Sequence, residues 1–150
     1  MHLQKKIGPA LIFERLWNDL GIKKVINALL SERKFEFDVE RAIFLTVLHR
    51  LFASGSDRSC EKWRPDYAIE GVEELCLHHL YRAMAFAGEE IEDQRCGTPF
   101  APRCIKDLIE EGIFFERRDL FTGLDLVFFD TSSLYFEVAV HKIRDLGGTS

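Results

Sequence analysis

Asp130, near the end of the chain, is a carboxylate whose position in the sequence is compatible with binding a metal ion. Asp130 follows residues 126–129, Leu-Val-Phe-Phe, a run of β-branched and aromatic side chains that is typical of a buried strand. The hydroxyl side chains of Thr131 and Ser132 come directly after it. Two interpretations remain open: the carboxylate completes a local hydrogen-bonded turn with these hydroxyls, or it is a metal ligand.

Three segments of the chain, in the same order, resemble a known family. Residues 115–123, the apolar run and residues 130–137 resemble the approach to the first catalytic carboxylate of bacterial insertion-sequence transposases of the DDE type. Residues 48–63 contain Leu-His-Arg-Leu, Ser-Gly-Ser-Asp-Arg-Ser and Lys-Trp, which resemble the arginine-leucine, serine-basic and tryptophan segment of that family. Residues 77–84 resemble the helix that follows it.

The resemblance implies a fold and a mechanism. Transposases of this family have a ribonuclease-H-like core, and they cut and join DNA by in-line attack on phosphodiesters with two divalent cations. It implies that Asp130 is the first of three catalytic, metal-binding carboxylates and that Mg²⁺, which prefers carboxylate oxygens, is the cofactor of the complete enzyme. The match covers roughly residues 12–137, interrupted by residues 96–102, and the family then continues for hundreds of residues. We therefore expect a truncated transposase that binds Mg²⁺ weakly and cuts no DNA alone.

The distribution of charge predicts where DNA would bind. The net charge of −5 argues against nucleic acid covering the whole surface, but a local basic face is sufficient. Residues 41–67 hold five basic and three acidic side chains, whereas residues 68–93 hold one basic and seven acidic. We predict that Arg50, Arg58, Lys62 and Arg64 contact the phosphates of double-stranded DNA at transposon ends. The alternative is an ordinary solvated loop.

Hydrophobic periodicity and capping residues predict helices first and strands last. The predicted helices cover residues 9–20, 22–33, 39–53, 72–87 and 105–118, with Asp38 as the cap of the third, central helix. Residues 126–129 and 134–140 are predicted to form one strand or a hairpin. The fold class is therefore mainly α with a C-terminal β-strand or hairpin (α+β). A helical, DNA-binding region covers residues 1–120, and a truncated ribonuclease-H-like domain begins in residues 121–150.

Composition limits the other possibilities. A chain of 150 residues with 47% hydrophobic content can bury a core that hides about 70% of its unfolded surface. Since no apolar run approaches the ~20 residues that span a bilayer and no signal peptide precedes the first helix, we predict a cytoplasmic protein with no membrane contact. The four cysteines have irregular spacing, which predicts free thiols. The unpaired edge of a lone strand pair also favours self-association.

Two classes of function fit these patterns. The first is a fragment of a DNA transposase that binds DNA and supplies one carboxylate of the catalytic site. The second is a stand-alone helical DNA-binding or protein-interaction module whose C-terminal strands are structural. A basic face on the central helix and the following loop would favour DNA, whereas an apolar face there would favour a protein partner.

Overall fold

The computed structural model describes residues 6–121, and these residues are mainly helical, as predicted. Asp130 and both predicted strands lie outside the described residues. No helix among residues 6–121 is long and apolar enough to cross a membrane. In chain order the helices are α1 (Gly8–Asp19), α2 (Ile22–Leu30), α3 (Val39–Phe52), α4 (Asp57–Trp63), a 3-10 turn (Arg64–Asp66), α5 (Leu77–Ala87), α6 (Ile105–Glu116) and α7 (Arg118–Phe121).

Local signals in the sequence explain where several helices begin and end. The Asp38 carboxylate accepts a hydrogen bond from the backbone N–H of Arg41 at 3.0 Å, which caps α3 as predicted. Proline occupies the first turn of α1, where its missing N–H removes no intrahelical bond. Gly21 separates α1 from α2 with a φ of +76°, a left-handed conformation that glycine adopts without steric cost.

The two largest differences from the predicted helices lie between α3 and α5. Residues 57–63 were predicted as part of a loop but form α4, because the Ser56 hydroxyl caps its first turn at the N–H of Ser59. Helix α5 begins at Leu77 and not at residue 72. Val72 and Leu75 are buried although they lie outside a helix. Their three-residue spacing is also that of one helix face, which is why the sequence predicts a helix there.

Helix α3 lies at the centre of the fold and contacts α2, α4 and α5. Phe44, Leu45 and Leu48 are almost completely buried, and each contributes about 1.5–3 kcal/mol to stability. Helix α1 runs antiparallel to α3, since the ring of Phe13 meets Phe52 and that of Trp17 meets Phe44, both with centroids 5.2 Å apart. The prediction that α3 is the central helix is confirmed.

Gly112 allows α6 to pack closely on α2. Glycine has low helix propensity, so its place within this helix needs a packing reason. A Cβ atom at position 112 would lie only 2.5 Å from Cγ1 of Val25 and 3.1 Å from its Cγ2. Because valine is stiff at χ1 in a helix, its methyl groups could not move aside without displacing the helix.

Gly112→Ala is therefore expected to destabilise the protein, by about 1–2 kcal/mol, because overpacking outweighs the better helix propensity of alanine. Urea denaturation followed by circular dichroism measures this change. On a Val25→Ala background, which removes both methyl groups, the same substitution should cost far less. An equal cost in the two backgrounds would contradict steric overlap with Val25 as the reason for this glycine.

Candidate functional site

Three of the four predicted DNA-binding side chains lie at the junction of α3 and α4. Arg58 and Lys62 are one helical turn apart on α4 and both are exposed, so they share one face of that helix. Arg50 is in the last turn of α3, and its Nη2 lies 3.6 Å from Oδ1 of Asp57, the first residue of α4. The structure thus brings together cations from two helices, which we call the basic face (Arg50, Arg58 and Lys62).

Arg64 has a different environment from these three residues. Its Nη1 donates hydrogen bonds to the backbone carbonyls of Val72, at 3.1 Å, and of Leu75. Both acceptors belong to the irregular segment before α5, and the arginine side chain is half-buried. The guanidinium therefore holds this segment against the end of α4, and the phosphate contact of Arg64 stays a prediction.

A buried histidine holds the two helices of the site together. His49 of α3 is buried, and its Nε2 lies 3.3 Å from the hydroxyl oxygen of Ser59 on α4. The Ser59 hydroxyl donates to the carbonyl of Ser56 at 2.7 Å. A Cβ atom at Gly55 would overlap this hydroxyl and lie 3.1 Å from Cε1 of His49, so the turn needs glycine for the helices to approach.

Burial and neighbouring charges set the pKa values of the titratable groups at this junction. Burial lowers the pKa of His49, which favours the neutral imidazole. Burial favours the neutral form of Cys60 as well, and it raises the pKa of this thiol to about 12. At neutral pH Cys60 is therefore a protonated, unreactive thiol. The prediction of free thiols is confirmed for all four cysteines. These properties make His49 and Cys60 packing residues.

The three cations of the basic face are not equally available to bind an anion. Arg50 is the cation nearest to Asp57, whose Oδ1 is buried and accepts no hydrogen bond from the described residues. Its charge is therefore partly used to compensate a buried carboxylate. Arg58 and Lys62 form no ion pair with any residue between 6 and 121, so α4 presents two cations that are free to meet an anion in solution.

An ion pair in the core was not foreseen from the sequence. Arg41 counted toward the local basic excess, but it is 5% exposed and binds the carboxylates of Glu40 and Glu14. Of the five basic side chains in residues 41–67, two therefore point into the protein. The adjacent glutamate and arginine near the start of α3 are the local signal of this ion pair.

The site is chemically suited to bind phosphates. In the part of the chain that the structure describes, no three His, Cys, Asp or Glu side chains are grouped to hold a metal ion. No protein-family model, curated protein or solved structure matches the chain. The functional assignment therefore depends on the residues of the basic face and on the sequence segments that contain them.

Proposed function

We propose that this chain is the DNA-binding, N-terminal part of a DNA transposase of the DDE type. The observation that carries the proposal is the pair of exposed cations on α4, which have no ion-pair partner within residues 6–121, with Arg50 beside them. The resemblance adds support, because its serine-basic and tryptophan segments correspond to the turn after α3 and to α4 itself. The next segment of the resemblance corresponds to α5, which contacts both of these helices.

The connection between α3 and α4 is suitable for binding a duplex. Residues 53–56 form a short turn that contains glycine, the length found between the two helices of helix-turn-helix motifs. In such motifs the second helix meets the DNA, and here it carries Arg58 and Lys62. Three cations neutralising phosphates would give a slope of log affinity against log salt of roughly −2.7 and little sequence preference.

The catalytic part of the proposal concerns Asp130. As the first carboxylate of a complete site, it would bind Mg²⁺ together with two further carboxylates, and the metal ions would activate the attacking hydroxyl. Fragments of such an enzyme could retain DNA binding without cleavage, because the two activities use different residues.

Replacing Arg50, Arg58 and Lys62 by alanine is expected to weaken binding to every duplex sequence and to make the salt slope less negative by about 2.7. Fluorescence anisotropy of a labelled duplex between 20 and 200 mM salt, about one decade, measures both quantities. A matched control replaces the exposed Arg15, Lys23 and Lys106, which removes the same charge from α1, α2 and α6. Equal losses in the two triple variants would contradict a local DNA interface and leave only a net-charge effect.

The Arg64→Ala variant tests separately whether Arg64 contributes to stability or to DNA affinity. Since its guanidinium holds backbone carbonyls, this variant should lose stability while the folded fraction keeps its DNA affinity.

A specific observation also favours the protein-interaction alternative. Helices α1 and α3 expose large apolar side chains next to one another, among them Leu16, Val47 and Leu51. Such a patch is typical of a surface that another polypeptide segment covers. Arg50 of the basic face comes three residues after Val47 on α3, so the basic face and the apolar patch adjoin one another on this helix.

A further inference from the structure

A narrow apolar groove runs between α1 and α3. It has a volume of about 200 Å³ and is lined by apolar side chains, including Phe13, Leu16 and Leu20 from α1 or its end, and Val47 and Leu51 from α3. Its rim is open: the exposed fraction is 46% for Leu16, 38% for Val47 and 60% for Leu51. The described residues thus leave a continuous apolar strip accessible along two antiparallel helices.

The burial of α1 differs from what its apolar stripe predicts, and the open groove explains the difference. The apolar stripe of the helix predicts that Ile12 and Leu16 are buried, but both are exposed, and Trp17 is the stripe residue that reaches the core. An amphipathic stripe broader than its contact with α3 indicates that the helix has a second apolar neighbour.

The described chain ends close to one end of this groove. Arg117, after α6, donates a hydrogen bond from Nη1 to the backbone carbonyl of Asp19 at 2.8 Å. Glu116 forms an ion pair with Lys24 at 2.7 Å and meets the position where a Cβ on Gly21 would lie, at 3.3 Å. Both contacts place the end of α6 beside the end of α1, where Leu20 closes the groove.

We propose that residues 124–129, Leu-Asp-Leu-Val-Phe-Phe, dock in this groove and complete the core between α1 and α3. Beyond Phe121 the chain has 29 further residues, from 122 to 150, and the first apolar segment among them is this one. In extended form residues 122–129 reach about 26 Å, whereas the groove from Leu20 to Phe13 is about 10 Å long on α1. The segment therefore reaches the whole groove from where α7 ends.

A segment of the same chain is favoured over a second copy by its tether. Only residues 122 and 123 separate α7 from this segment, and a tether of this length gives an effective concentration in the millimolar range. The chain enters at the Leu20 end, so docking along the groove carries Asp130 toward the Leu51 end, next to Arg50. The inference does not depend on the proposed function, although it would bring the first carboxylate close to the basic face.

A photo-reactive residue in the groove tests this docking in the full chain. Val47 is replaced by p-benzoylphenylalanine, and isotopically heavy and light chains are mixed before irradiation and peptide mass spectrometry. The expected product is a cross-link from position 47 to residues 124–129 within one chain. The same probe at Glu74, which is exposed before α5, should give no cross-link to this segment.

Every other outcome overturns the proposal. Cross-links between heavy and light chains would assign the groove to self-association. Cross-links confined to residues 6–121, or an absence of cross-links, would show that residues 124–129 lie elsewhere.

A pair of matched variants makes the test specific. Leu126→Asp with Phe128→Asp should abolish the cross-link from position 47, because charged side chains are too costly to desolvate in an apolar groove. Leu134→Asp with Phe136→Asp should leave it unchanged. Retention of the cross-link in the first variant would contradict the docking, and circular dichroism checks that both variants keep the helical content. The DNA titration uses other residues, so the two proposals fail separately.

Discussion

Replacing Arg41 by methionine is expected to lower the free energy of unfolding by about 3–5 kcal/mol, which would make it among the most damaging single substitutions in the helical region. Arg41 donates from Nε to one oxygen of Glu40 at 2.7 Å and from Nη2 to the other at 2.6 Å. Its Nη1 donates to both oxygens of Glu14, at 2.8 and 2.9 Å. Methionine fills a similar volume but leaves a buried carboxylate without its cation.

The surroundings of this pair explain the expected magnitude. Glu40 is 1% exposed and also accepts a hydrogen bond from Nε1 of the Trp17 indole at 2.6 Å. Although burial alone would lower it, hydrogen bonds to Glu40 and Glu14 raise the pKa of Arg41 above its ordinary value, so the charge is retained. The guanidinium also lies 4.6 Å from the ring centre of Phe44, which adds a cation–π contact.

A second substitution distinguishes a lost ion pair from lost packing. Glu40→Gln removes the buried charge and keeps an acceptor for the Trp17 indole, so the Glu40→Gln, Arg41→Met double variant should be more stable than Arg41→Met alone. Urea denaturation at pH 7 measures both. Arg15→Met is the surface control: this arginine pairs with Asp19 at 3.5 Å in solvent and should cost no more than about 1 kcal/mol. If the double variant were no more stable than the single one, packing would be the cause.

The Asp130→Asn substitution is expected to abolish DNA cleavage and strand transfer in a chain joined in frame to a segment that supplies two further carboxylates. The amide of asparagine has no charge and offers the metal ions one fewer anionic oxygen, so the attacking hydroxyl is not activated. DNA affinity should stay nearly unchanged, because the proposed phosphate contacts lie on α3 and α4.

Cleavage of a supercoiled plasmid in Mg²⁺ measures this effect, and anisotropy measures the binding. Asp125→Asn is the matched control, since this carboxylate precedes the apolar run and is predicted to be a turn or capping residue. Undiminished cleavage by the Asp130→Asn variant would mean that Asp130 has the structural role in a hydrogen-bonded turn. Equal losses in both variants would indicate a general dependence on local charge.

The sequence alone determined most of the helices in residues 6–121, because the signals that begin and end them act over a few residues. The Asp38 cap, the proline in the first turn of α1 and the left-handed Gly21 each satisfy or interrupt backbone hydrogen bonds within one turn of themselves. Hydrophobic periodicity likewise identified α3 as central, since its apolar residues cover more than one face.

The tertiary structure alone decided which charges remain available for a ligand. A count of basic residues treats Arg41, Arg58 and Arg64 alike, yet the first binds buried carboxylates, the last binds backbone carbonyls, and only Arg58 stays free of a partner among the described residues. Those partners are distant in sequence, as with Glu14 or Leu75, so no local pattern predicts them. The same holds for the groove, because the exposure of an apolar stripe depends on how much of it the opposing helix covers.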